Sequence, residues 1–291
     1  MTAPAPLAGA GPLIDAHAHF YHAASGRADY RRVNDARLRA GDAIGVTYHV
    51  ASILGSFGHR SPTYFPSPED VTAGNAAMAA LADADDRIRW FVAVNPNHTA
   101  HAIGEIDRGV ACGAIGVKLL ASRRADDPLL DPICARAAAD ALPILHHVWQ
   151  HRTREWPNQE ISDGVDLGRV AARHPDVAFI LAHLGGGGDW AHTLPAVRDH
   201  PNIHPDLSGS GVDRGMLDDA LATLGAGRLL WACDLTMETG LAKLRALEVI
   251  GLSRDEQADI RWRNAARLFP AGAFPRCAEP DRAGPTAGTT A

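Results

Sequence analysis

Short apolar, β-branched segments alternate with amphipathic ones along almost the whole chain. Eight of the apolar segments, at residues 13–19, 44–50, 88–94, 115–120, 143–148, 177–183, 202–207 and 229–234, read as strands. They are near-continuously apolar, which predicts strands covered on both faces in a parallel sheet. The stretches between them carry helix signals. Ser67-Pro68-Glu69-Asp70 supplies an N-cap, a Pro at the first helical position and acids in the first turn. Asp131-Pro132 repeats that logic ahead of 133–142, and Gly113 and Gly225 stand where helix C-termini belong. Pro205 removes a ladder donor from the seventh strand and predicts irregular pairing there.

Eight strand–helix units within 13–270 predict an α/β fold, a (β/α)8 TIM barrel in a single domain. A doubly wound open sheet is the alternative, but the first strand–helix turn carries no G-x-G-x-x-G fingerprint. Residues 1–12 read as a flexible Ala/Pro/Gly-rich arm without the basic start and apolar stretch of a signal peptide. Residues 271–291, rich in Pro, Gly, Ala and Thr, read as a disordered tail.

Composition narrows the class. The chain of 291 residues is 46% hydrophobic and 21% charged, as ordinary globular proteins are. A net charge of −6 without a basic stripe excludes a nucleic-acid binder, and no apolar run is long enough for a membrane span. Cys112, Cys134, Cys233 and Cys277 form no C-x-x-C pair and fit a reducing, cytoplasmic setting. Nothing here fixes an oligomeric state, and a homo-oligomer stays open. The outlier is 15 His, many of them beside apolar runs.

Those His carry the chemistry. In Asp15-Ala16-His17-Ala18-His19-Phe20 the two imidazoles are two residues apart on a strand and project from one face. Reactive groups of such a barrel stand at the C-terminal strand ends. There the fifth segment offers His146 and His147, the sixth His183 before Gly185 to Gly188, and the eighth Asp234. One His in an apolar run reads as a packed core residue, and one Asp after a strand as a helix cap. Four strand ends with such residues read as a metal site.

The chain resembles the amidohydrolase superfamily, in the amidohydrolase-related branch that includes aminocarboxymuconate-semialdehyde decarboxylase-like enzymes. The resemblance covers nearly the whole barrel. It rests on 15–20, Gly116-Val117-Lys118-Leu119, 143–149, Ala182-His183-Leu184-Gly185-Gly186, Asp206-Leu207-Ser208-Gly209, Trp231-Ala232-Cys233-Asp234 and 264–269. It implies one divalent metal held by His17, His19, His147 and Asp234, with His183 catalytic but not a ligand. The family spacing favours His147 over His146, which would face the helices. Three His and a carboxylate with an open position suit Zn²⁺, with Mn²⁺ or Fe²⁺ as alternatives. Asp234 would then accept a proton from metal-activated water, and His183 would orient that water or stabilise charge on the substrate.

The expected activity is hydrolysis of a C–N or C–O bond, amide or lactone, in a small, carboxylated metabolite through a metal-bound hydroxide. The alternatives are non-oxidative decarboxylation or hydration of an unsaturated or aromatic acid at the same site, and a metal-free ligand-binding barrel. Lys118, Trp149 and Arg214 are candidate substrate contacts. Lys118 also reads as a structural ion pair, or as the carboxylated Lys that bridges two metals in other branches. His49 and His204 either line the pocket or pack in the core. The loops 55–66 and 149–156, the latter with His151, Arg152 and Arg154, read as a lid or as solvated connections.

Overall fold

The structure, a computed structural model, describes residues 11–149, 156–186, 189–211, 214–235 and 237–277. Strands and helices alternate: β1 (Ile14–His19), α1 (Tyr30–Ile44), β2 (Tyr48–Ser52), α2 (Pro68–Ala84), β3 (Ile88–Val94), α3 (Thr99–Ala111) and β4 (Gly116–Leu119). Then follow α4 (Asp131–Ala139), β5 (Ile144–His147), α5 (Gly164–Arg173), β6 (Phe179–Ala182), α6 (Trp190–Val197), β7 (Ile203–Pro205) and α7 (Arg214–Leu224). The chain continues through α8 (Met237–Val249), α9 (Arg254–Ala258) and α10 (Asn264–Leu268). Among the described residues the strands form one parallel seven-stranded sheet in sequential order from β1 to β7.

The expected eighth strand is not one. Residues 229–234 form only two isolated bridges, Asp206 with Leu230 and Ala18 with Asp234. Their backbone still bonds both sheet edges, Leu207 N–H to Leu230 O (2.9 Å) on one side and Asp234 N–H to His17 O (2.7 Å) on the other. Pro205 has the expected effect, since β7 stops there after three residues.

Strand parity separates two cores. Ile144, Phe179, Leu181 and Ile203 pack outward against Ile133, Ala137, Leu167 and Val170 of α4 and α5. Ile14, Tyr48, Val50, Phe91, Leu145, Ile180 and Leu230 fill the inside of the curled sheet. β1 departs from strict alternation. Its pairing with β2 shifts register between Asp15 and Ala18, so one extra residue bulges from the edge. Ile14 and Ala16 belong to the inner core and Ala18 to the outer one, and this turns His17 and His19 inward.

Local signals acted where chain chemistry alone decides. Ser67 Oγ accepts from Asp70 N–H at the start of α2, and Gly113 and Gly225 take left-handed φ of 86° and 73° after α3 and α7. Asp131 differs: it lies inside α4 without capping it, and its carboxylate takes hydrogen bonds from Arg173 and His174 at the end of α5. Residues 271–277 are not a disordered tail, since Phe274 and Cys277 are buried in the inner core and Arg276 N–H donates to the Tyr48 hydroxyl. Residues 1–10 and 278–291 lie outside the described residues. Among the described residues, no helix is long and apolar enough to cross a membrane, and all four cysteines are free thiols.

His204 pairs with Ile180 in the sheet register, three residues before His183 and away from the strand ends. Burial, reinforced by Arg228, pushes its pKa down from 6.5 to about 4. A His held neutral by the fold binds fewer protons than in the unfolded chain, so its contribution is intact above pH 6.5 and is lost as pH falls through 4. Urea unfolding at pH 7 and at pH 4.5 is expected to show a loss in wild type that His204→Gln reduces by about 1–3 kcal/mol. An equal loss in both proteins would show that His204 does not set it.

Candidate metal centre

The inward turn of β1 brings His17 Nε2 and His19 Nε2 to 3.1 Å from each other. Asp234, from the end of the last sheet segment, places Oδ1 at 3.5 Å from His17 Nε2 and 3.1 Å from His19 Nε2. One donor atom from each residue lies within 4.8 Å of the others. The far side of each imidazole is fixed. His17 Nδ1 meets Asp206 Oδ2 at 2.9 Å, and His19 Nδ1 meets the Ser52 hydroxyl at 3.1 Å and its carbonyl at 3.3 Å. Such partners set the tautomer and leave Nε2 as the donor toward the cluster.

The electrostatics fit a cation. Burial, with Lys118 adding to it, holds His17 well below the ordinary imidazole range, and burial lowers His19 as well. Burial would raise Asp234, but His17, His183 and His19 together hold it well below the usual carboxylate range. Two neutral imidazoles and one carboxylate, with Asp234 itself only 20% exposed, form a donor set that could hold a divalent cation.

The other expected residues surround this cluster. His183 Nε2 lies 3.5 Å from Asp234 Oδ2, and its ring stacks parallel to His17 at 5.7 Å between centroids. His147, with Leu145, is on the inner face of β5, but its ring meets His183 edge-on at 5.0 Å and is not part of the three-residue cluster. Its Nε2 is buried without a hydrogen-bond partner among the described residues. His146 shares the outward parity of Ile144 and Val148 and is pushed down to about 4 by burial. Trp149 completes the wall, 5.7 Å from both the His147 and the His183 ring.

Lys118 is fully buried with Nζ 3.3 Å from His17 Nε2, and no carboxylate pairs with it among the described residues. Burial lowers its pKa to about 8, against the opposing pull of Asp234 and Asp206. His49 turns away from the site, its Nδ1 on Asp15 Oδ2 at 2.9 Å. Arg214 begins α7, and its side chain, like Arg152, Arg154, His151, Gly187 and Gly188, lies outside the described residues. Gly185 and Gly186 serve close packing, since a Cβ on the first would meet Ser208 O at 2.7 Å and on the second the His183 ring.

Three participants received no individual role from the sequence. Asp206 follows β7 directly, much as Asp234 ends the last segment, and burial raises its pKa to about 6. It belonged to a recognised motif without an assigned role. Ser52 was invisible, because a Ser at a strand end has no spacing signature. Tyr64 comes from the loop after β2. Its ring is 5.2 Å from His147, and its carbonyl accepts from Ser122 Oγ. With Trp149, Trp156 and Asn158 it lines a cavity of about 580 Å³.

Comparison with known proteins follows the same outline. The fold matches that of 2,6-dihydroxybenzoate decarboxylase from Rhizobium with a TM-score of 0.67 and 17% identity, over 89% of this chain and 98% of the other. The 5-carboxyvanillate decarboxylase from Sphingomonas paucimobilis gives 0.64 and 18%, over 89% and 98%. The 5-carboxyvanillate decarboxylase from Novosphingobium aromaticivorans, solved with manganese and 4-hydroxy-3-methoxy-5-nitrobenzoic acid, gives 0.68 and 15%, over 92% and 99%. No curated protein matches the sequence. A family model described as Amidohydrolase matches residues 14–271, and the chain belongs to that family.

Proposed function

We propose that this chain is a metal-dependent, non-oxidative decarboxylase of an aromatic or unsaturated acid, working in an eight-membered barrel closed by residues 229–234. This replaces the hydrolysis of a C–N or C–O bond expected from the sequence. Several of the solved structures that share its fold are named as decarboxylases of dihydroxybenzoate or 5-carboxyvanillate, while others are named only as amidohydrolases. The observation that carries the reading in this chain is the ring wall formed by Tyr64, His147, Trp149 and His183 beside the His17–His19–Asp234 cluster. A wall of planar side chains suits a planar substrate.

His17, His19 and Asp234 would hold one divalent cation, with the unpartnered His147 Nε2 completing the set. Manganese, found in the Novosphingobium relative, fits the set as well as zinc does. When bound, the cation supplies Lewis-acid charge that anchors and polarises substrate oxygens. The remaining work falls to the protein. The C–C bond to the carboxylate breaks, its electron pair stays on the substrate carbon, and a proton takes the place of the departing CO2. The Asp234 Oδ2–His183 Nε2 pair holds and delivers that proton. Lys118 sets an ammonium beside His17 for a substrate oxygen anion, and Trp149 and Tyr64 orient the ring. Arg214, at the head of α7, remains a candidate contact by position.

His147→Ala is expected to lose metal and turnover together, while His146→Ala keeps the metal and costs roughly 1–3 kcal/mol of stability. Elemental analysis of both purified variants decides, and metal retained only in His147→Ala would reverse the assignment. His183→Asn should keep its metal and lose turnover by on the order of 10²-fold or more. Loss of the metal in that variant would make His183 a ligand and remove its proton role. The reaction itself is tested by incubating the manganese-loaded enzyme with hydroxylated benzoates in ²H₂O. CO2 release with one solvent deuterium on the product carbon is the expected result. Hydrolysis of amide or lactone substrates that places ¹⁸O from labelled water in the new carboxylate, with no CO2 released from the benzoates, would overturn the decarboxylase reading.

A further inference from the structure

Behind the metal cluster, on the helix side of β1, lies a buried polar group that touches none of the three cluster side chains. Asp15, paired with His49 just ahead of the bulge in β1, faces there by ordinary alternation from Ile14, while the bulge turns His17 and His19 inward. Asp15 Oδ2 accepts from Arg37 Nη2 and His49 Nδ1, each at 2.9 Å, and Oδ1 accepts from the backbone N–H of Cys233 at 2.9 Å. Arg37, projecting from α1, uses its other nitrogen Nη1 to hold the carbonyl of Leu235 at 3.3 Å. The residue between those two anchored peptides is Asp234.

Asp234 needs such anchoring. Its φ is 57°, in the left-handed region that costs a non-glycine residue free energy. Its own N–H is tied to His17 O at 2.7 Å, but nothing in that bond fixes the direction in which the chain leaves. Leu235, immediately after it, is 51% exposed and brings no apolar anchor of its own. A bidentate guanidinium whose two nitrogens grip Asp15 and Leu235 O fixes the exit. Lysine, with a single ammonium, cannot reproduce that span.

We propose that Arg37, acting through Asp15 and Leu235, is a positioning residue for Asp234, holding its carboxylate in the geometry that a divalent cation requires. The role rests on Asp234 being a metal ligand as assigned above, and the experiment separates the two claims. Wild type, Arg37→Lys and Arg37→Met are stripped of metal and titrated with Mn²⁺ alone, following bound metal by its paramagnetic resonance signal, with thermal unfolding measured in parallel. Arg37→Lys keeps a cation on Asp15 and so serves as the milder variant if Arg37→Met does not fold.

The expected result is wild-type binding of about one Mn²⁺ and at least a tenfold weaker affinity in Arg37→Lys while it is still folded. A residue that only stabilised the fold would lower the unfolding temperature and leave the affinity of the folded molecules unchanged. Wild-type affinity in Arg37→Lys therefore overturns the positioning role alone. A wild-type protein that binds no Mn²⁺ at this site overturns the assignment of Asp234 as a ligand, and this role with it.

Discussion

The hydrogen bond from Asp234 N–H to the carbonyl of His17, 2.7 Å long, joins the first strand of the sheet to its last segment. Everything at the site depends on that junction, because the two imidazoles come from one side of it and the carboxylate from the other. Parallel strands place all their C-terminal ends on one rim, so residues far apart in sequence gather there without further design. What the topology cannot supply is the last ångström. The bulge in β1 and the left-handed φ of Asp234 supply it, each at a local energetic cost that the surrounding hydrogen bonds offset.

Charge is arranged with the same economy. The cluster has one anionic oxygen donor among neutral nitrogens, while Lys118 Nζ stands 3.3 Å from His17 Nε2. A positive neighbour favours deprotonated imidazoles and so keeps the nitrogen lone pairs available. Asp206 acts on the opposite side of the same ring, through His17 Nδ1, and increases its basicity as a ligand. The imidazole of His17 is thus set from three directions, by a strand, a carboxylate and a lysine, with no freedom left to the ring.

Much of this was legible in the sequence, for reasons that differ by residue. The alternation of apolar strands and capped helices, and the H-x-H at a strand tip, are periodic signals that survive without tertiary context. His147 was preferred to His146 on the spacing of the resembled family, because strand alternation says only that the two face opposite sides, not which one faces the site. The eighth segment was read as a strand from its apolar character. It forms only two bridges, because the irregular end of β7 after Pro205 offers it little regular ladder. The reading of 271–277 as disordered failed because composition does not reveal that Phe274 and Cys277 have a core to enter. Ser52, Asp206 and Tyr64 received no individual role because theirs arise only when separate loops and strand ends meet.

The same limit explains why the residues of the cluster could not by themselves decide the reaction. A donor set of imidazoles and a carboxylate binds a cation whether the next step adds water to a carbonyl or places a proton on carbon. The distinction lies in what the rest of the pocket admits. Attack by water needs a polar space beside the cluster, whereas protonation of a ring carbon needs the ring held flat and an acid aimed at it. In this chain the space beside the cluster is taken by rings, with Trp149 lying 5.7 Å from both His147 and His183, and His183 reaching back to Asp234. Tyr64, Trp149 and Trp156 extend that planar lining outward into the cavity above it. Trp149 closes a recognised motif, but Tyr64 and Trp156 sit in the two loops whose spacing names no partner, so their approach to the cluster is set only by how those loops fold.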